Sequence, residues 1–160
     1  MILYHGSNVE VKNPRIIANK KGRDFGPAFY LTAIKEQAER HAIRKCKQER
    51  SGKPIVSVFD WDENICTLNY KEFDRADENW LDLIIKCRME TSYVHGFDIV
   101  VGKIADDTVG QTILYVLEGI MRKDDAIKRL EFQKINSQHA FCTERSLNGL
   151  LFKRSYEVKK

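Results

Sequence analysis

Hydrophobic positions change period along this chain, and the changes mark out its elements. Trp80, Leu83, Ile84 and Cys87 recur at i, i+3, i+4 and i+7, which predicts an amphipathic helix over 77–89. Asp77 and Glu78 suit its N-terminal end, where the helix dipole is positive. Ile34, Ala38, Ala42 and Cys46 recur every four residues and predict a helix over 33–50, capped by Thr32 and stopped at Gly52. Two more helices are expected over 108–118 and 123–132, separated by Gly119, with a helical turn over 144–150. Aromatic and β-branched runs predict strands over 2–5, 29–32, 54–61, 97–104, 138–142 and 151–158. Residues 13–26 are polar and basic and read as a loop, with room for one short strand at 15–18. Strands and helices do not alternate strictly, so the expected class is α+β.

Length and composition narrow the picture. At 160 residues, without a repeat, low-complexity tract or linker, the chain reads as one domain over 1–160. A domain of this size buries about 68–70% of its unfolded surface and needs no covalent or metal staple. Cys46, Cys66, Cys87 and Cys142 form no Cys-x-x-Cys pair and read as reduced, mostly buried thiols. The longest apolar runs span a few residues, far short of a membrane span. The start, Met1-Ile2-Leu3-Tyr4-His5, lacks the pattern of a signal peptide, so a cytoplasmic protein is expected.

Charge is uneven. The segment 12–50 carries a net +7, 60–82 a net −6 and 122–160 a net +5. The overall +4 therefore hides two basic ends around an acidic middle. Solvated helix faces are the simple explanation. The sharper one is that the basic ends close around a phosphate-bearing ligand while the acidic stretch faces away.

Common nucleotide, hydrolase and metalloprotease motifs are absent, and His5, His41, His95 and His139 have no metal-ligand spacing, so no metal is expected. Two segments stand out. In Tyr4-His5-Gly6-Ser7 a histidine at a strand end precedes a glycine that lets another molecule approach the backbone. In Gly22-Arg23-Asp24-Phe25-Gly26-Pro27-Ala28-Phe29-Tyr30-Leu31-Thr32 a shaped loop feeds an aromatic strand. Each alone reads as ordinary turn or loop chemistry. Together, and with Gln138-His139-Ala140-Phe141-Cys142-Thr143-Glu144-Arg145, they resemble the three ordered motifs of the ADP-ribosyltransferase superfamily, in its His-Tyr-Glu/Gln branch. The resemblance is nearest to the small bacterial domain-of-unknown-function family 3990. It extends over Trp80 to Arg88 and Phe97 to Asp107, including Asp98-Ile99-Val100-Val101-Gly102.

That resemblance implies an ADP-ribosyltransferase-like split β-sheet sandwich with flanking helices and a nicotinamide cleft. It implies a mono-ADP-ribosyltransferase with NAD as substrate and no metal, acting on a protein or nucleic-acid acceptor. It also suggests a toxin of a toxin–antitoxin pair, with a neighbouring antitoxin protein as partner. His5, Tyr30 and Gln138 would be the catalytic set: His5 on the ribose or carboxamide, Tyr30 stacked on the nicotinamide, Gln138 at the ribose beside the reacting carbon. His5, Gly6, Ser7, Arg23, Phe25 and Tyr30 would bind the cofactor, with one of Arg15, Lys20, Lys21 or Arg23 on the pyrophosphate. The chemistry fits, because N-glycosidic cleavage passes through an oxocarbenium-like species that needs a clamped ribose and a flat leaving ring.

Gln138 departs from the Glu of many relatives, and an amide cannot act as a general base. Three outcomes stay open: transfer to an already reactive acceptor, a carboxylate supplied by Glu144, or an NAD- or nucleotide-binding module without turnover. A thiol nucleophile at Cys142 is not expected, because Cys142 and His139 lie three apart on a strand and face opposite ways. A nucleic-acid-binding domain with a basic face is a third class, poorly served by the few clustered aromatics Phe25, Phe29 and Tyr30.

Overall fold

Among the described residues the chain forms seven strands and five helices. The computed structural model describes residues 1–18, 23–64, 66–103, 107–131 and 136–159. In chain order they hold β1 (Ile2–Ser7), β2 (Phe29–Leu31), α1 (Lys35–Glu49), β3 (Ile55–Trp61), β4 (Tyr70–Glu72), α2 (Glu78–Met89), β5 (Ile99–Lys103), α3 (Asp107–Leu117), α4 (Lys123–Glu131), β6 (Ser137–Phe141), α5 (Glu144–Leu147) and β7 (Leu150–Glu157). The mixture of two sheets and separate helices is α+β, as the patterning predicts.

The amphipathic stripe of α2 buries Trp80, Leu83, Ile84 and Cys87. Asp77 caps this helix, accepting a hydrogen bond from the Trp80 amide at 2.9 Å. On α1 only Ala38 and Ala42 of the four-residue stripe are fully buried. Thr32 does not cap α1 directly. Its Oγ1 accepts from the Ile34 amide at 3.1 Å and donates to the Ser137 carbonyl at 3.2 Å, tying the helix start to β6. No strand forms at 15–18.

One sheet has the order β1-β3-β7 and is antiparallel. The other has the order β2-β6-β5-β4, with β4 and β5 parallel. A core of Leu3, Phe29, Leu31, Phe59, Ile99 and Phe141 lies between the sheets. Helix α1 covers the outer face of the first sheet through Ala38, Ala42, Val56 and Val58. Helices α2, α3 and α4 cover the second through Trp80, Ile84, Ile113, Leu130, Val100 and Ala140. Among the described residues one backbone bridge joins the sheets, where Tyr4 and Thr32 exchange hydrogen bonds of 2.8 and 3.0 Å. Beyond it β1 and β2 part. Among the described residues no helix is long and apolar enough to cross a membrane.

Candidate functional site

The parting of β1 and β2 opens a cleft of about 950 Å³, lined by both strands, the loop before β2, one stripe of α1 and the start of β6. His5, Tyr30 and Gln138, brought by three different strands, all line it, as do Gly6, Ser7 and Arg23.

His5 spans the split. Its Nδ1 lies 2.8 Å from the Tyr30 carbonyl. A carbonyl only accepts, so Nδ1 carries the proton and Nε2 keeps a lone pair. Burial, aided by the charges of His41, Lys45 and Arg23 and opposed by that hydrogen bond, pushes the His5 pKa down to about 4. The imidazole is therefore neutral at pH 7, an acceptor for a ligand hydroxyl or amide. Its ring is steadied against Phe29 at 4.4 Å between centroids.

Tyr30 is anchored at its far end. Its hydroxyl donates to the Gly26 carbonyl at 2.6 Å and accepts from the Phe25 amide at 3.2 Å. Gly26 makes this turn with φ of 75°, a value side chains rarely adopt. Burial raises the Tyr30 pKa well above its ordinary value, so the hydroxyl stays protonated. The Arg23 guanidinium lies over the ring at 5.5 Å from its centroid.

Gln138 is buried, and its Nε2 donates to Asp24 Oδ2 at 3.2 Å. The other oxygen of Asp24 accepts from Arg88 Nη2 at 2.6 Å and Nε at 3.0 Å, from the last turn of α2. Because Asp24 takes the Gln138 amino group, Oε1 is the atom left to accept from a ligand. Sequence reasoning passed over Asp24. The available signal was a lone carboxylate in a strongly basic loop, the only acid from Lys12 to Lys35. It also bears on why residue 138 is Gln: a glutamate there would set a second carboxylate against the first.

Several expectations are corrected. Phe25 does not reach the cleft; it is fully buried, its ring stacked 6.3 Å from Phe73 against Gly102. Only its backbone serves the site, through the Tyr30 hydroxyl and by accepting from His95 Nε2 at 3.0 Å. The close approach at Gly6 is made by α1 and not by a ligand: a Cβ there would stand 2.0 Å from the Ala38 carbonyl oxygen. Ser7 is buried and donates to Asn8 Oδ1 at 3.4 Å. Of the three outcomes left open, a carboxylate from Glu144 is the one the geometry disfavours: Glu144 is a solvent-facing residue at the start of α5, outside the cleft lining. Strand β6 explains this, since about 3.3 Å per residue carries the chain roughly 13 Å from Gln138 to Cys142.

The cleft's cations come from the first basic segment, as Arg15, Arg23, Arg40, Arg44 and Lys45, together with Arg88. Among the described residues the segment 122–160 contributes no cation to the lining, and the stretch 60–82 contributes nothing. Lys20, Lys21 and Gly22 lie outside the described residues.

Burial pushes the Cys142 thiol up to about 12, which leaves it un-ionised and inert. His139 packs at 5.7 Å against Trp61 on the core side of β6. Among the described residues no group of three or more metal-binding side chains gathers.

A family model described as "Protein of unknown function (DUF3990)" matches residues 1–152. No curated protein and no solved structure matches the chain.

Proposed function

This chain belongs to DUF3990, a family of proteins of unknown function, and we propose that its cleft binds NAD and transfers ADP-ribose from it to a macromolecular acceptor. The observation that carries this is the meeting of His5, Tyr30 and Gln138 in one cleft from β1, β2 and β6. The parting of two sheets beside a single bridge at Tyr4 and Thr32 supports a split-sheet fold of ADP-ribosyltransferase type.

In the reaction, the bond between nicotinamide nitrogen and ribose C1′ breaks, and its electron pair leaves with neutral nicotinamide. The acceptor's nucleophile bonds to C1′ and gives up its proton. His5 Nε2, a fixed lone pair, accepts from a ribose hydroxyl. The anchored face of Tyr30 takes the flat leaving ring, with Arg23 displaced toward the phosphates; stacking of this kind contributes about 1–3 kcal/mol. Gln138 Oε1 accepts from the hydroxyl nearest C1′. Asp24 orients that amide and places negative charge near the developing cation, a function a third-motif glutamate would otherwise serve.

The test is incubation with NAD labelled in its adenylate part, with and without cell extract, scoring free nicotinamide and labelled macromolecule. Release that disappears in His5→Ala and Tyr30→Ala supports the reading. No release and no labelling with the folded protein counts against it. The amide at 138 favours a second reading, an NAD-binding module without turnover. Calorimetry then shows NAD binding while nicotinamide stays bound, and Gln138→Glu creates turnover where the parent has none.

A further inference from the structure

The α1 wall of the cleft carries more positive charge than a diphosphate can use. Arg40, His41, Arg44 and Lys45 all line the cleft, on a stripe beside Ala38 and Ala42, the residues that seat the helix on β1. Arg15 and Arg23 line the same cleft from the loop. Among the described residues, none of Arg15, Arg23, Arg40 and Arg44 has a carboxylate within 4.0 Å. The two carboxylates in the lining are engaged. Asp24 holds Arg88, while Glu49 accepts from Asn8 Nδ2 at 3.0 Å and lies 3.9 Å from Lys45.

The same cations act on the histidines. Arg44 Nη2 donates to His41 Nδ1 at 3.3 Å, which requires that nitrogen to be unprotonated. His41 keeps an exposed edge, yet the protein packed round it, with Arg44, Lys45 and Arg23, pushes its pKa down to about 4. Like charges gathered without counter-ions repel, and a polyanion relieves that repulsion on binding.

The charge is also spread out. One turn of helix, about 6 Å, separates Arg40 from Arg44. A diphosphate places two charges on neighbouring phosphorus atoms, whereas a polynucleotide repeats one at every residue. The unpaired cations are all arginines, whose forked donors match phosphate oxygens. A cleft of about 950 Å³ is roomy enough for a dinucleotide.

We infer that the α1 wall binds the phosphodiester backbone of a single-stranded nucleic acid, and that this strand is the ADP-ribose acceptor. The inference rests on the transferase reading above and names its acceptor class. Transfer then forms a bond from C1′ of the NAD ribose to a base nitrogen, releases nicotinamide, and passes the base proton to solvent.

The experiment measures binding of a fluorescent 12-residue single-stranded RNA and its DNA equivalent by anisotropy, without NAD, over a salt series. About three phosphate contacts give a log–log salt slope near −2. Arg40→Gln with Arg44→Gln should flatten that slope by about 1.4 and weaken binding at least tenfold at low salt. Both residues are exposed, and an unchanged melting temperature shows the variant is folded. Lys153→Gln with Arg154→Gln removes the same charge from exposed positions on β7 and should bind as the parent does. Labelled NAD is then added with the oligonucleotide or with nuclease-treated extract. Label in the oligonucleotide supports the inference. Salt-insensitive or absent binding, equal losses in both double variants, or label confined to protein overturns it while leaving the transferase reading standing. Salt-sensitive binding with no nicotinamide released overturns the transferase reading, and with it the acceptor role, but retains the polyanion site.

Discussion

The Nδ1 atom of His5 and the carbonyl oxygen of Tyr30 lie 2.8 Å apart, so a side chain closes the gap where two strands stop pairing. One bond fixes the histidine's tautomer, links the first two site residues, and marks the point where the cleft opens.

His5 should titrate far below an ordinary histidine. Its folded pKa is about 4 against a model value of 6.5, so the unfolded chain binds a proton that the folded chain refuses. Stability is full above about pH 6.5 and falls as pH drops toward 4, with His41 acting in the same direction. Nuclear magnetic resonance of the His5 ring should show a midpoint near 4 and the Nδ1–H tautomer at pH 7. A midpoint near 6.5 would show that burial does not hold the ring neutral, and an Nε2–H tautomer at pH 7 would remove the Nε2 acceptor from the mechanism.

Gln138→Glu should behave as an unwelcome second carboxylate. It stands where Gln138 donates to Asp24 at 3.2 Å, so the pair resists double ionisation and one member's pKa rises. A raised acid pKa destabilises above that pKa, and the loss recovers as pH falls. Urea titrations should show the variant weaker than the parent by about 1–3 kcal/mol at pH 8, with the gap closing by pH 5. Adding Asp24→Asn should remove the pH dependence of the gap, while loss of the Arg88 ion pair keeps the double variant weaker than the parent. A pH-independent gap would mean that the two side chains do not share charge.

Gly6→Ala should fail to pack. The new Cβ would lie 2.0 Å from the Ala38 carbonyl oxygen and 2.9 Å from the Ala42 amide nitrogen, both backbone atoms that cannot rotate away. Helix α1 must shift bodily, at a cost of about 3 kcal/mol or more. A fall in melting temperature together with loss of NAD binding is expected. Ser7→Ala, whose hydroxyl makes one long bond to Asn8, should cost under about 1 kcal/mol.

Asp98 should govern the acid limb of stability. Arg145 above all, with Thr143 and the Asn69 amide, holds its carboxyl well below the usual range against the opposing effect of burial. Asp98→Asn should lower unfolding free energy by about 2–3 kcal/mol at pH 7. The difference should persist down to about pH 4 and shrink below it, as the parent's own carboxyl is protonated. Chemical denaturation at pH 7, 4 and 2.5 reads this directly.

Most elements were legible because their signals are local. The Trp80–Cys87 stripe, the Asp77 cap and the run in β5 placed α2 and β5 within a residue or two. Strand β4 was missed: Tyr70-Lys71-Glu72 is too short to show a period and is a strand only because it lies parallel to β5. Phe25 was misread, since an aromatic beside a basic loop looks like a ligand contact until Gly102 gives its ring a seat in the core.

The order of local patterns thus determined an α+β domain, the segments carrying His5, Tyr30 and Gln138, and a basic first third. Tertiary structure alone decided what surrounds them. It set Asp24 against Gln138 across 114 positions and left Glu144 outside the cleft. It also gathered the cleft's cations on α1, the loop and the end of α2, with none among the described residues of the second basic segment. The reason is range. Periodicity and capping act over a few residues of one element, whereas hydrogen bonds and charge pairs between distant segments exist only once the sheets have parted and the helices have docked.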